Sequence, residues 1–167
     1  MKVVLVMAMS ADGIIAKHQS HFPDWTCRAD KRMFKQVSQQ AGVIIMGART
    51  WDTIAKPLPD RLNVVMTRHP ERYPASQNPL FFSGTPDQLL IQLDAWGFET
   101  VVLAGGATIN SLFMASGKID ELLLTISPKL FGRGLTLFDQ PLDLDLHLLE
   151  SRHLEPQTLV LRYAIKK

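Results

Sequence analysis

The sequence has one cysteine, little net charge and no long hydrophobic run. Cys27 cannot form a disulfide within the chain because it has no cysteine partner. The net charge of +2 does not indicate a nucleic-acid partner. The apolar run VVLVMAM is far shorter than the roughly 18 to 20 residues of a membrane helix, and it continues into SADG without the pattern of a cleavable signal. We therefore expect a cytoplasmic protein that binds neither membranes nor nucleic acid.

Short β-branched runs alternate with helical patterns along the chain. The segments expected to form strands are KVVLVMAMS, AGVIIMG, RLNVVMTR, LFF, TVVLAGG, ELLLTIS and TLVLRYAI. Most are apolar on both faces, as in a parallel sheet, whereas the last alternates, as a terminal antiparallel strand does. Helices are expected over 30–40, 49–54, 86–96 and 108–116. The pattern predicts one α/β domain over 1–167, with a central, mostly parallel mixed sheet flanked by helices.

The first predicted helix carries a carboxylate on its apolar stripe. Asp30 lies at helical spacing from Met33, Phe34 and Val37. An acidic residue in a first turn often only complements the helix dipole. A carboxylate that faces a core is costly unless it is paired, so Asp30 is alternatively a group that awaits a ligand with N–H donors. A heterocycle with a ring N–H beside an exocyclic amine offers two such donors.

Two strand ends carry glycines and lead into predicted helices. VVLAGG ends in Gly105 and Gly106, and IIMG ends in Gly47, just before Arg49. Backbone N–H groups and helix N-termini at the carboxyl ends of parallel strands bind phosphates. Glycines can equally serve close packing, and neither turn has the GxGxxG fingerprint. Two such ends in one sheet, with Arg68 at a third, favour a long anionic ligand.

Several segments, in this order, resemble the dihydrofolate reductase family: DWTCRADKRMFK, GVIIMGARTWDTIAKPLPDRLNVVMTR, VVLAGGATINSLF and LLLTIS. The chain is most similar to the bacterial dimeric type known from thermophiles. The resemblance implies NADPH-dependent hydride transfer to C6 of 7,8-dihydrofolate with protonation at N5, which gives tetrahydrofolate for one-carbon metabolism. It implies no metal.

The resemblance assigns roles around the substrate. Asp30 would hold the amino-pyrimidine edge and support protonation, with Thr125 backing it through its hydroxyl. Trp25 would help to hold the catalytic water, and Arg61 would bind the glutamate α-carboxylate. The remaining substrate contacts implied by the resemblance are Val6, Ala8, Phe34, Ile54, Leu58 and Ala104.

The resemblance also implies a cofactor site at the strand ends and helix starts. Its residues are Ala8, Ile15, Ala16, Gly47, Ala48, Arg49, Thr50, Thr67, Arg68, Gly105, Gly106, Ala107, Thr108 and Ile109. Ile15 and Ala16 would meet the nicotinamide. Three positions depart from the family: Ala48 replaces a basic residue for the 2′-phosphate, Asn110 a frequent tyrosine, and Lys31 an apolar pocket residue. Arg49 and Arg68 could supply the missing charge, and the preference for NADPH over NADH stays open.

Two alternatives accompany this prediction. A riboflavin-pathway reductase shares the fold and cofactor but acts on a ribosylamino-pyrimidine phosphate, which lacks a glutamate tail. Asp30 and Arg61 favour dihydrofolate over that substrate. A non-catalytic nucleotide-binding module would keep the glycine turns but would have no reason to keep Trp25, Asp30 and Thr125 together.

The C-terminal region predicts an assembly. Leu130, Phe131, Leu135 and Leu137 surround two glycines and precede a leucine-rich stretch. Such residues usually belong to a protein's own core. The resemblance to the dimeric type favours instead a two-fold homodimer through this region, with a complete site in each protomer.

Overall fold

A computed structural model describes residues 1–166. Its strands are β1 (Lys2–Ser10), β2 (Ile14–Ala16), β3 (Val43–Gly47), β4 (Leu62–Met66), β5 (Leu80–Phe82), β6 (Thr100–Leu103), β7 (Glu121–Ser127), β8 (Leu135–Thr136), β9 (Leu146–Glu155) and β10 (Thr158–Ile165). Its helices are α1 (Arg28–Ala41), α2 (Ala48–Ile54), α3 (Pro86–Ala95) and α4 (Ala107–Ala115). A 3₁₀ turn spans Pro70–Arg72. The predicted alternation of strands and helices is confirmed.

The main sheet has eight strands in the order β5-β4-β3-β6-β1-β7-β10-β9. The strands from β5 to β7 pair in parallel, and β10 is antiparallel to both β7 and β9. The carboxyl ends of the parallel strands therefore meet at one edge of the sheet, where ligands bind in such folds. β2 and β8 form a separate antiparallel pair. The predicted mostly parallel mixed sheet with a C-terminal antiparallel strand is confirmed.

Two hydrophobic clusters cover opposite faces of the sheet. Val3 and Leu5 of β1 pack with α3 and α4, whereas Val4 and Val6 of the same strand pack with α1. Side chains of a strand point alternately to its two faces, so β1 contributes to both clusters. This explains why the parallel strands are continuous apolar runs.

Helix α1 starts two residues before the predicted start because Cys27 caps it. The Cys27 Sγ accepts a hydrogen bond from the Asp30 backbone N–H at 3.4 Å. At the other end Gly42, with φ of +73°, donates its N–H to the Gln39 carbonyl. A left-handed C-cap of this kind favours glycine. The predicted stripe is confirmed, because Met33, Phe34 and Val37 pack in the α1-side cluster.

The sequence prediction omitted β2, β8 and β9. The first two are only three and two residues long. β9 is an edge strand whose residues are mostly exposed, and its pairing with β10 shifts register at two places. Register shifts of this kind are typical of edge strands that resist pairing with other chains. An exposed, irregular strand has no strong period-two pattern for sequence analysis to detect.

Most of the apolar residues around the two glycines, which were predicted to form a dimer surface, pack against other parts of this chain. Leu137 packs against the cluster on the α3 and α4 side, and the Phe131 ring lies against Trp25. Leu135 is half-buried, and only Leu130 projects, with 77% of its surface exposed. In the described part of the chain, no helix is long and apolar enough to cross a membrane.

Candidate active site

The predicted pterin-pocket residues gather on the α1 side of the sheet. Helix α1 lies over this face, and the segment from α2 to β4 borders it. The predicted substrate residues that share the apolar cluster here are Val6, Phe34, Ile54, Leu58 and Ala104. Ala8 lies two residues beyond Val6 on β1 and pairs in register with Thr125 of β7. One sheet face thus brings together apolar side chains from four different parts of the chain.

Asp30 is buried against this cluster without a polar partner. Its surface is 8% exposed, and its carboxylate forms no hydrogen bond or ion pair with any residue from 1 to 166. Asp30 occupies the first turn of α1, where the helix dipole favours a negative charge. A buried carboxylate without protein donors is nevertheless costly. Asp30 is therefore suited to accept N–H donors from a ligand.

Two further polar atoms on this side are buried and unpartnered. Thr125 Oγ1 and Trp25 Nε1 have no hydrogen-bond partner within residues 1–166. The hydrogen bond that the resemblance implies between Thr125 and Asp30 is not formed. Most buried polar groups in folded proteins are satisfied by protein or by ordered water. An acceptor, a hydroxyl and an indole donor without partners therefore mark a polar ligand site.

Arg61 is buried and points into the protein. Its guanidinium donates to the Pro59 carbonyl at 2.9 Å and to the Ser38 hydroxyl, and Nη1 lies 3.5 Å from the Lys35 carbonyl. Burial lowers the pKa of Arg61, and the neighbouring Asp60 opposes this effect. The side chain is 7% exposed. Most of its donors thus fasten the turn before β4 to α1, a structural role that the sequence did not predict.

Glycines line the carboxyl edge of the sheet where a cofactor is predicted. The Gly47 N–H at the end of β3 donates to the Gly105 carbonyl beyond β6 at 2.8 Å. A Cβ on Gly47 would lie 2.7 Å from Ile109 Cγ1, and one on Gly105 would lie 3.0 Å from Met7 Sδ. Gly47 therefore has no room for a side chain, and Gly105 has a tight neighbour and a φ of +83°, which favours glycine. The two predicted glycine turns are therefore adjacent.

The other predicted cofactor residues follow the same edge. Gly106 is the N-cap of α4 and Ala107 and Thr108 form its first turn, while Ala48 and Thr50 begin α2 beside it. No side chain caps α4. Arg49 and Arg68 are exposed cations near the ends of β3 and β4, and Thr67 lies between β4 and Arg68. Glycines, a free helix N-terminus and two arginines together suit a phosphate-containing dinucleotide.

The predicted nicotinamide contacts lie on β2. Ile15 is almost fully buried and Ala16 is half-buried, and the strand pairs with β8. Asp12, just before β2, fixes the loop that leads to β8. Its carboxylate accepts bonds from the Ser10 hydroxyl at 2.5 Å and from the Phe131 and Gly132 N–H groups at 3.2 and 2.6 Å. The Ser10 hydroxyl and the Gly132 and Phe131 amides keep the pKa of Asp12 below its ordinary value.

Three side chains of the segment that precedes α1 pack around the Phe131 ring. The Trp25 ring meets it edge-on at 5.1 Å between centroids, and the His21 ring at 6.0 Å. The Lys17 ammonium lies 5.2 Å from the ring centroid. Sequence reasoning did not identify Phe131 or Asp12 as site residues. The acidic SADG turn was the only available signal, and it did not reveal its distant partner.

The segment from Leu137 to Asp139 is fastened across α4. The Asn110 Nδ2 donates to the Leu137 carbonyl at 2.8 Å, the Asp139 N–H to the Ser111 hydroxyl at 2.9 Å, and the Thr108 hydroxyl to Asp139 Oδ2 at 2.7 Å. Asn110 is fully buried, yet its Oδ1 has no partner among the described residues. Asp139 was not predicted to belong to the site.

Residues 1–160 match the RibD C-terminal domain family, and the chain belongs to that family. The dihydrofolate reductase of Candida albicans is 28% identical over 132 residues, which cover 74% of this chain and 67% of that protein. The family match places the chain in a group of reductase domains, and the yeast relative is consistent with the resemblance seen in the motifs.

Solved structures share the fold. RibD of Acinetobacter baumannii superimposes with a TM-score of 0.84 at 20% identity, over 99% of this chain and 58% of that chain. A Thermotoga maritima deaminase and 5-amino-6-(5-phosphoribosylamino)uracil reductase gives 0.82 at 14% identity, over 99% and 56%. The Enterococcus faecalis dihydrofolate reductase complexed with NADP(H) gives 0.78 at 20% identity, over 99% and 97%. The chain thus corresponds to little more than half of the Acinetobacter and Thermotoga proteins.

These similarities refine the sequence prediction. They support an NADPH-type oxidoreductase on the dihydrofolate reductase-like fold, and the predicted cofactor agrees with the NADP(H) complex of the Enterococcus relative. They do not establish dihydrofolate reductase itself. The match to the RibD C-terminal domain family favours the riboflavin-pathway alternative over the dihydrofolate assignment.

Proposed function

We propose that this protein is an NADPH-dependent reductase whose substrate contains a pyrimidine ring. The observation that carries the proposal is Asp30, a buried carboxylate over an apolar sheet face with no protein partner among residues 1–166. Ring N–H groups of a pyrimidine are donors that such a carboxylate binds strongly. NADPH would supply the hydride, and the glycine edge with α4, Arg49 and Arg68 would hold its phosphates.

The first candidate substrate is a phosphorylated ribosylamino-pyrimidine of the riboflavin type. The family membership supports it, and so do two features of the chain. Arg61 uses most of its donors within the protein, which weakens the sequence argument for a glutamate-binding role. Lys31 is exposed in the first turns of α1, next to Asp30 in the chain, and could bind a substrate phosphate.

The second candidate is dihydrofolate, whose aminopyrimidine edge also fits Asp30. A 2-aminopyrimidine edge presents two parallel N–H donors to the two carboxylate oxygens. In the phosphoribosylamino-uracil, N3–H lies between two carbonyl oxygens, which would face a carboxylate unfavourably. N1–H has one carbonyl neighbour and adjoins the exocyclic amine, so this edge also offers two N–H donors. Trp25 and Thr125 also remain beside the site with unpartnered polar atoms.

Absorbance at the NADPH band separates the two candidates. Turnover with the phosphoribosylamino-uracil and none with dihydrofolate would support the first, and the reverse would support the second. Lys31→Ala should raise KM for the phosphorylated pyrimidine but not for its dephosphorylated analogue. Arg61→Leu should raise KM for dihydrofolate but not for a dihydropterin without the glutamate. If the protein oxidised NADPH neither with the phosphoribosylamino-uracil nor with dihydrofolate, the proposal would be contradicted.

We also propose a homodimer, through the β9 and β10 part of the predicted C-terminal region. On the sheet face away from α1, β9 and β10 present Leu146, Leu148 and Leu159, with 38%, 49% and 38% of their surfaces exposed. This face of the hairpin carries no Asp, Glu, Lys or Arg, so two copies related by a two-fold axis could meet without repulsion between like charges. Light scattering over a dilution series tests it. Leu148→Glu should give a monomer, and a monomeric parent at high micromolar concentration would contradict the dimer.

A further inference from the structure

The start of α4 is already in contact with a negative charge. Asp139 lies on an exposed stretch after β8. Its Oδ2 accepts a hydrogen bond from the Thr108 hydroxyl at 2.7 Å. Its backbone N–H is fixed by Ser111, one turn further along the helix. The carboxylate is therefore held at the first turn of α4 by the helix itself.

Three neighbouring groups stabilise the ionised form of Asp139. Hydrogen bonds from Ser111 and then Thr108 lower the pKa of Asp139, and the positive charge of Arg49 lowers it further. Asp139 is therefore ionised at neutral pH. Arg49 is close enough to act on Asp139 electrostatically, but within residues 1–166 the two form no ion pair. The carboxylate thus competes for two groups, Thr108 and Arg49, that were predicted to contact the cofactor.

A second observation indicates that a ligand binds beside this helix start. Asn110 Oδ1 is buried and unpartnered, and it lies 3.6 Å from the position that a Cβ on Gly105 would occupy. Its amide nitrogen is fixed on the Leu137 carbonyl, so the free oxygen is directed away from that segment. Buried acceptors of this kind are normally satisfied.

We propose that Asp139 sets the affinity for the dinucleotide by opposing its pyrophosphate at the start of α4 and by holding the Thr108 hydroxyl. This inference rests on the proposed function, because it takes the cofactor site as given. A helix N-terminus attracts anions, and a fixed carboxylate beside it partly cancels that attraction. Pyrophosphate binding must displace the carboxylate or tolerate its charge. Removing the charge should therefore strengthen cofactor binding.

The test measures dissociation constants of NADPH and NADH by calorimetry for the parent and Asp139→Asn. The matched control is Asp87→Asn, which changes an exposed carboxylate in the first turn of α3 that pairs with Lys118. Asp139→Asn should tighten both cofactors by about two- to fivefold at low salt. The factor should be the same for both because the pyrophosphate is common to them, and it should shrink as salt screens the charges.

A double-mutant cycle sharpens the test. Thr108→Val should weaken binding more in an Asp139→Ala background than in the parent, because Asp139 occupies the Thr108 hydroxyl in the parent and alanine leaves it free for the cofactor. Unchanged or weaker binding of Asp139→Asn, or an equal gain in the Asp87→Asn control, would overturn the inference while leaving the proposed function intact. Absence of saturable NADPH binding by the parent would overturn both.

Discussion

The main sheet has one edge where the parallel strands begin and another where they end, and polar groups at these two edges differ in whether the protein supplies their hydrogen-bond partners. At the edge where the parallel strands begin, Glu121 is bonded to Lys2 and to Arg162, each at 2.6 Å, so that one carboxylate ties β1, β7 and β10 together. Asp120 accepts the Val3 N–H at 2.8 Å. The partly buried carboxylate Glu121 has found donors from the protein, as stability requires.

At the carboxyl edge, Asp12 and Asp139 are hydrogen-bonded, but three other groups lack protein partners. Thr125 Oγ1 and Trp25 Nε1 are buried without a partner among residues 1–166, and the carboxylate of the buried residue Asp30 has no protein partner there either. β7 belongs to both edges, since it starts at Glu121 and passes through Thr125. The same strand thus carries a structural ion pair at one end and part of the proposed ligand site at the other. Substitutions at the two edges should separate stability from activity.

The largest effect is expected at Asp30. Asp30→Asn should lower turnover by on the order of a hundredfold, as the loss of a positioned acid or base usually does. The free energy of unfolding should stay the same or rise, because the change removes a buried charge without protein donors. Steady-state kinetics and urea unfolding of the same preparation measure both. Parent-like turnover at pH 7 would show that Asp30 only complements the helix dipole.

An intermediate effect on stability is expected at the opposite edge. Glu121→Gln should lower the free energy of unfolding by about 1 to 2 kcal/mol, because it leaves two cations without a carboxylate. KM and turnover should be unchanged. Glu150→Gln is the matched control, since that carboxylate pairs with Arg152 on the exposed edge strand and should matter little. Lost activity with retained stability would break the comparison between the edges.

The Glu121 contribution should also depend on pH. Burial raises the pKa of Glu121, but the bonds from Lys2 and Arg162 outweigh burial and bring the pKa below its ordinary value. A carboxyl group with a lowered pKa in the folded state stabilises the fold above its unfolded pKa. That contribution is lost as the pH falls through the folded pKa. The stability difference between the parent and Glu121→Gln should therefore shrink in acid.

The smallest effect is expected at Phe131. Phe131→Leu removes the edge-on contact with Trp25, and aromatic pairs contribute about 0.5 to 1.5 kcal/mol, so turnover should fall by a few-fold. Trp25 fluorescence, isolated by Trp51→Phe and Trp96→Phe, should show a more exposed indole. Leu130→Ala alters the neighbouring, exposed side chain and serves as the control. An unchanged Trp25 spectrum would mean that other contacts position the indole.

Periodicity predicted most of this fold because the parallel strands are buried on both faces. Val43 to Met46 and Val64 to Met66 are almost fully buried, and such runs are easily recognised. The edge strand β9 lacks that signal, since its side chains face solvent. Likewise, Asp30 was visible because it breaks an apolar stripe at short sequence separation.

Partners far apart in sequence were not predictable. From the sequence, Arg61 is predicted to be a ligand-binding arginine at a turn. Only the fold shows that its guanidinium donates hydrogen bonds to the Ser38 hydroxyl and the Lys35 carbonyl. Asp12 and Phe131 are separated by 119 positions, and Thr108 and Asp139 by 31. Single-sequence patterns report local periodicity and turn chemistry, so contacts of this range require the three-dimensional structure.

The cysteine cap of α1 provides a ready experimental probe. Cys27 is the only thiol in the chain, it is half-buried, and it lies within the same helical turn as Asp30. A thiol-reactive dye would therefore attach at a single position beside the substrate pocket, without any engineered cysteine. Bound substrate should slow that labelling by covering the pocket, and the labelling rate would then report ligand occupancy even in variants that have lost all turnover.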